Sequence, residues 1–117
     1  MCKAWGRCES AVTTVCYREY YDRFWVLIEG HSGFGKSGDD IVCAGVSTIS
    51  YTLLNTLLDE EAEGNIKLIR NIVRDGYMCL EIECAEYIKQ RVKGIIDTCI
   101  KGFFMLEESY PAYVSVK

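Results

Sequence analysis

Apolar and polar positions follow two rhythms along this chain. Residues 11–17, AVTTVCY, are rich in β-branched side chains and loosely alternate, the period-two pattern of a strand. Residues 23–30, RFWVLIEG, read as a second, more buried strand, with REYYD (18–22) as the turn between the two. A loop over 31–39 follows, with glycines at 33, 35 and 38. The rhythm then becomes helical. Val42, Val46, Ile49, Leu53 and Leu57 share one stripe, and Asp39 or Asp40 just ahead of it predicts the helix start, because a short carboxylate accepts from the free N–H groups there. DEEAEGN (59–65) predicts a polar loop that ends the helix, with Gly64 as the stop. IKLIRNIV and GYMCLEIE read as two strands joined by RDG, an Asp-Gly hairpin signal. A second helix is expected from about Ala85 to Glu108, with Ile88, Val92, Ile95, Cys99 and Phe103 as its stripe. Pro111, the single proline, closes that region, and YVSV gives a short last strand.

The order β-β-α-β-β-α-β, with hairpin neighbours and two amphipathic helices, predicts an α+β fold. It is a two-layer sandwich with both helices packed on one face of a mainly antiparallel sheet. A chain of 117 residues, half of them hydrophobic, suits one domain with a real core.

Composition narrows the function. Thirteen basic and 17 acidic residues give a net charge of −4, and no basic stripe is present. That argues against a nucleic-acid partner and suits a basic peptide or protein. Cysteines at 2, 8, 16, 43, 79, 84 and 99 are odd in number and form no C-x-x-C pair, which argues against a disulfide framework or a zinc site. MCKAWGRCES lacks the apolar core of a signal peptide, and no run approaches the roughly 18 apolar residues of a membrane helix. The expectation is a reduced cytoplasmic protein with no membrane partner, its thiols other than Cys43 acting as small core residues.

The chemistry concentrates in residues 30–45, GHSGFGKSGDDIVCAG. Gly30 followed by Gly35-Lys36-Ser37 fits the phosphate-loop pattern, in which backbone amides and a lysine hold phosphates. That pattern needs a helix beginning at the lysine and a parallel sheet, whereas Gly38-Asp39-Asp40 follow Ser37 and the rest of the chain reads as hairpins. The same stretch joins His31, the single histidine, to Cys43. An Asp40 cap puts Cys43 in the first helical turn, where free N–H groups could hold an oxyanion and a thiolate is favoured. Steps of three and four from Cys43 reach Ser47, Ser50 and Leu54, a face of small, partly polar residues rather than the apolar stripe. From spacing alone a Cys–His dyad, a phosphate loop and a small packed cysteine all remain open.

GHSGFGKSGDDIVCAGVS (30–47) resembles the signature of the ribosomal-processing cysteine proteases, the Prp family. The matching residues are Gly30-His31, Gly38-Asp39-Asp40-Ile41-Val42-Cys43-Ala44 and Ser47, with a His-to-Cys offset of 12. The resemblance runs from about residue 11 to the end, including YPAYVSV (110–116). It therefore implies a single protease domain over 11–117 behind an N-terminal extension, 1–10. It also implies an endopeptidase that removes the N-terminal extension of a large-subunit ribosomal protein precursor, with Cys43 as nucleophile and His31 as its base. Gly30, Gly38, Asp40 and Ser47 are the supporting residues. Asp40 is expected to cap the helix, with orientation of His31 as its second role, and Ser47 to hydrogen-bond near the thiol. The resemblance further implies a homodimer and a mobile loop between His31 and Cys43; no metal or organic cofactor is implied. Ser32, where alanine often follows the histidine, and Lys36-Ser37 depart from the pattern. Two other functions stand beside this one: a nucleotide-binding module using Gly35-Lys36-Ser37, and a non-catalytic adaptor of the same fold that binds a ribosomal protein.

Overall fold

The computed structural model describes residues 12–30 and 37–117, the side chains of 37–40 excepted. The expected N-terminal extension, His31, and Gly35 and Lys36 of the phosphate-loop pattern lie outside the described residues.

The elements are β1 (Thr13–Tyr20), β2 (Arg23–Glu29), α1 (Ser37–Ala62), β3 (Ile66–Arg74), β4 (Tyr77–Cys84), a short 3-10 turn (Glu86–Ile88), α2 (Lys89–Ser109) and β5 (Val114–Val116). They form the predicted sandwich. The five strands lie in the order β3-β4-β2-β1-β5. Three pairings are antiparallel, and β5 runs parallel to β1. Alternate residues of the strands (Val15; Phe24, Val26 and Ile28; Met78, Leu80 and Ile82) are buried in one core with Leu53 and Leu57 of α1 and Val92, Ile96, Ile100 and Phe103 of α2. Their neighbours turn to the other face, where Cys16, Leu27 and Cys79 form one half-buried cross-strand row.

Several details depart from the sequence reading. β1 extends to Tyr20, so the expected REYYD turn shrinks to Tyr21-Asp22, with Tyr21 at φ +55°. Neither residue is a glycine or asparagine, which is why the tight turn carries no signal in the sequence. α1 begins at Ser37, ahead of Asp39 and Asp40, and runs to Ala62, into the first half of the stretch expected to be loop. Its final turn is helical because its carboxylates have partners. Glu60, 4% exposed, accepts from Asn65 Nδ2 at 2.8 Å and from Arg91 Nε and Nη2 at 2.9 Å each. Glu61 accepts from the Leu68 N–H at 2.9 Å. Gly64, at φ +82°, then stops the helix as expected. In α2 the buried line is Val92, Ile96, Ile100 and Phe103, with Ile95 and Cys99 half-buried beside it. The expectation about membrane-length segments is corrected too. The 22 residues Ile41–Ala62 are long and apolar enough to span a bilayer by length and composition. In this fold their inner face, with Val42, Leu53 and Leu57 fully buried, packs on the core, while Ile41, Tyr51 and Leu58 stay exposed.

Candidate active site

A cleft of about 160 Å³ opens between α1 and the end of the sheet that carries the β3–β4 turn. Cys43, Ser47 and Ser50 line it from α1, because steps of four and three bring them onto one helical face. Cys43 is a half-buried free thiol. Burial pushes the thiols of Cys84 and Cys99 up, which keeps both protonated within or beside the core.

Thr13, Gly30 and the turn residues Asp75 and Gly76 line the sheet side of the cleft. Gly30 is the fixed point of this wall. Its φ is +112°, and a Cβ there would collide with the Val12 carbonyl oxygen. Its N–H donates to the Gly76 carbonyl at 2.9 Å, which ties the end of β2 to the β3–β4 turn. That turn is the predicted Asp-Gly hairpin, with Gly76 at φ +75°. Tyr77 borders the cleft as the first residue of β4, but its side chain shares the outer face of the sheet with Cys79; burial first and then Cys79 push its phenol up, and the Arg74 guanidinium lies 5.6 Å from its ring centre.

Two expectations change with the early helix start. Cys43 is the seventh residue of α1, not a first-turn residue, so its own N–H falls inside the i to i−4 ladder and the free amides belong to 37–40. Position 40 is likewise inside the helix and is not its cap. The same early start supplies the helix that a phosphate loop requires after its lysine. The sheet does not supply the rest, since β2 is flanked on both sides by antiparallel strands, β1 and β4.

Of the predicted site residues, the structure gathers Cys43, Ser47 and Gly30 around one cleft. Position 38 lies in the first turn of α1, ahead of them. His31 follows Gly30 directly in the chain and lies outside the described residues. Sequence reading missed Thr13, Asp75 and Tyr77, which reach the cleft only through strand pairing. Among the described residues no cluster of His, Cys, Asp and Glu could hold a metal ion.

The fold recurs in solved proteins. SMU.848 from Streptococcus mutans is 27% identical, superposes with a TM-score of 0.69, and is matched over 96% of both chains. The essential ribosomal processing protease Prp from S. aureus, in complex with a substrate peptide, is 19% identical with a TM-score of 0.67, over 91% of this chain and 98% of that one. The same protease with a covalently linked product peptide is 20% identical with a TM-score of 0.64, over the same shares of the two chains. No curated protein matches the chain by sequence. The cysteine protease Prp family model matches residues 12–115, so this chain, with its free thiol in the cleft between helix and sheet, belongs to the Prp cysteine protease family.

Proposed function

We propose that the chain is a cysteine endopeptidase that removes the N-terminal extension of a large-subunit ribosomal protein precursor, with Cys43 as nucleophile and His31 as base. One observation carries the reading. Cys43 on the helix and Gly30 on the sheet line the same cleft, and His31 is the residue after Gly30. His31 is therefore one peptide bond from a residue of the cleft wall, and that adjacency in the chain supports it as the base.

The chemistry runs in two halves. His31 takes the proton from the Cys43 thiol, and the sulfur attacks the scissile carbonyl carbon. The tetrahedral intermediate collapses, the C–N bond breaks, and the leaving amine takes the proton back from the imidazolium. Water, deprotonated by His31, then attacks the thioester and releases the new carboxylate and the thiol. The covalently linked product peptide on the S. aureus relative is in keeping with such an acyl-enzyme. Ser47, one turn after Cys43, lines the same cleft and is placed to hydrogen-bond near the thiol once substrate binds. Asp40, no longer a cap, keeps the role of orienting His31. A net charge of −4 suits a basic precursor segment in the cytoplasm. The exposed apolar side chains of α1, Ile41, Tyr51 and Leu58, offer a surface to a second copy in a homodimer.

The test is cleavage of a purified precursor. Cys43→Ala and His31→Ala should each lower the rate by about 10⁴-fold or more, with the circular dichroism spectrum retained. Cleavage at the wild-type rate by either variant removes the dyad. A wild-type protein that binds the precursor without cutting it is the adaptor instead.

A further inference from the structure

The cleft has a second polar feature that the dyad does not use. Thr13 is 1% exposed and Ser50 4% exposed, yet neither Thr13 Oγ1 nor Ser50 Oγ has a hydrogen-bond partner among the described residues. The two hydroxyls come from opposite layers, Thr13 from β1 and Ser50 from α1, and both residues line the cleft that holds Cys43. Buried hydroxyls without partners are destabilising, and native proteins keep few of them. Ser50 lies two helical turns beyond Cys43, about 10 Å along the axis, too far to act on the reacting carbonyl. Ile28, Val46 and Met78 supply apolar wall around the pair. The whole cleft, Cys43 included, holds about 160 Å³.

We propose that Thr13 and Ser50 form the polar base of a substrate subsite, one that takes an uncharged side chain with an apolar stem and a hydrogen-bonding tip, glutamine or tyrosine. Each hydroxyl both donates and accepts, which matches a carboxamide or a phenol. A charged tip would lose more hydration than two neutral hydroxyls restore. A wholly apolar side chain fills the space but leaves both hydroxyls unsatisfied. This subsite rests on the protease reading and names part of its substrate preference.

Internally quenched peptides built on one cleaved precursor sequence provide the test. Positions around the scissile bond are replaced in turn by the matched pairs Gln/Met and Tyr/Phe. At one position the wild-type protein should prefer Gln over Met, or Tyr over Phe, by about tenfold in kcat/KM. Ser50→Ala should slow the polar-tipped peptide about tenfold more than its apolar partner, and Thr13→Val should do the same. Ser50→Ala should also melt no lower than wild type, since it deletes an unsatisfied group. The subsite is overturned if no position shows the preference, if the preference survives both substitutions, or if Ser50→Ala lowers the melting temperature, as loss of a bond to a buried water would. A wild-type protein that cuts none of the peptides removes the protease reading beneath it. One that cuts them without preference removes only the subsite.

Discussion

At the C-terminal end of α1 the buried carboxylate of Glu60 takes hydrogen bonds from Asn65 and from two nitrogens of Arg91. Near the middle of α1, two turns after Cys43, the buried hydroxyl of Ser50 takes none among the described residues, and neither does that of Thr13 on the sheet. Both places are polar and screened from water, and they are treated in opposite ways. Arg91 above all, then Asn65, holds the Glu60 carboxyl below the usual carboxylate range, so its charge is fully compensated in the folded state. That end joins the last turn of α1 to the start of α2 and has no further bond to make. The cleft keeps unused hydrogen-bonding capacity about two helical turns from the thiol of Cys43. One helix thus carries a closed polar network at its C-terminal end and an unsatisfied hydroxyl at its middle.

The largest effect on this contrast is expected from Gly30→Ala in the cleft wall. Its φ of +112° and the collision with the Val12 carbonyl should cost about 3 kcal/mol. Thermal denaturation reads this directly, and an unchanged melting temperature would show that the wall is not fixed there. Glu60→Ala comes next. It deletes three hydrogen bonds but leaves the exposed Arg91 head free to solvate, so a loss of about 2 kcal/mol is expected. Precursor cleavage per folded molecule should not change, and a parallel loss of activity would mean the two regions are coupled.

A pH series sharpens the same contrast. A carboxyl whose folded value is depressed stabilises the protein above its unfolded value and loses that contribution as pH falls through the folded one. Melting temperature should therefore drop on acidification below the ordinary carboxylate range, and Glu60→Gln should flatten that drop. Equal acid limbs for the two proteins would exclude Glu60 as the cause. The smallest effect is a gain. Gly94 sits inside α2, and a Cβ added there would meet nothing within 4 Å, so Gly94→Ala should raise stability by somewhat under about 1 kcal/mol. The same substitution thus has opposite signs at Gly30 and Gly94, and equal signs would break the argument for the fixed wall.

Local chemistry makes much of this legible in the sequence. The Asp-Gly hairpin at Asp75-Gly76, the stop at Gly64 and the seven-element order all follow from short-range rules. Cys43, Ser47 and Gly30 are legible as a site because one contiguous motif carries them. What stays hidden depends on distant partners. DEEAEGN looks like loop until Arg91 arrives to cover Glu60. The turn within REYYD is shorter than the sequence suggests because strand pairing, not turn residues, fixes its two-residue length. Ser50 lies on the recognised serine face, but its partnerless state depends on Thr13 opposite it, across the two layers. The burial in α2 moves from Ile95 and Cys99 to Ile96 and Ile100 because packing on the sheet sets the helix rotation, which periodicity alone leaves loose.

The parallel pairing of β5 with β1 bears on the order of assembly. The β1–β2 and β3–β4 hairpins close over two residues each, whereas β5 must bring Val114 beside Thr13 across nearly the whole chain. Closures over such long loops are entropically costly and come late. Thr13 is held in that pairing by its N–H to the Tyr113 carbonyl, at 2.8 Å, and Lys117 closes the edge on the Val15 carbonyl at 2.7 Å. One wall of the cleft therefore settles only when the last strand docks. A newly made chain with both hairpins in place still lacks that wall, so recovery of cleavage during refolding should lag behind recovery of strand and helix signals.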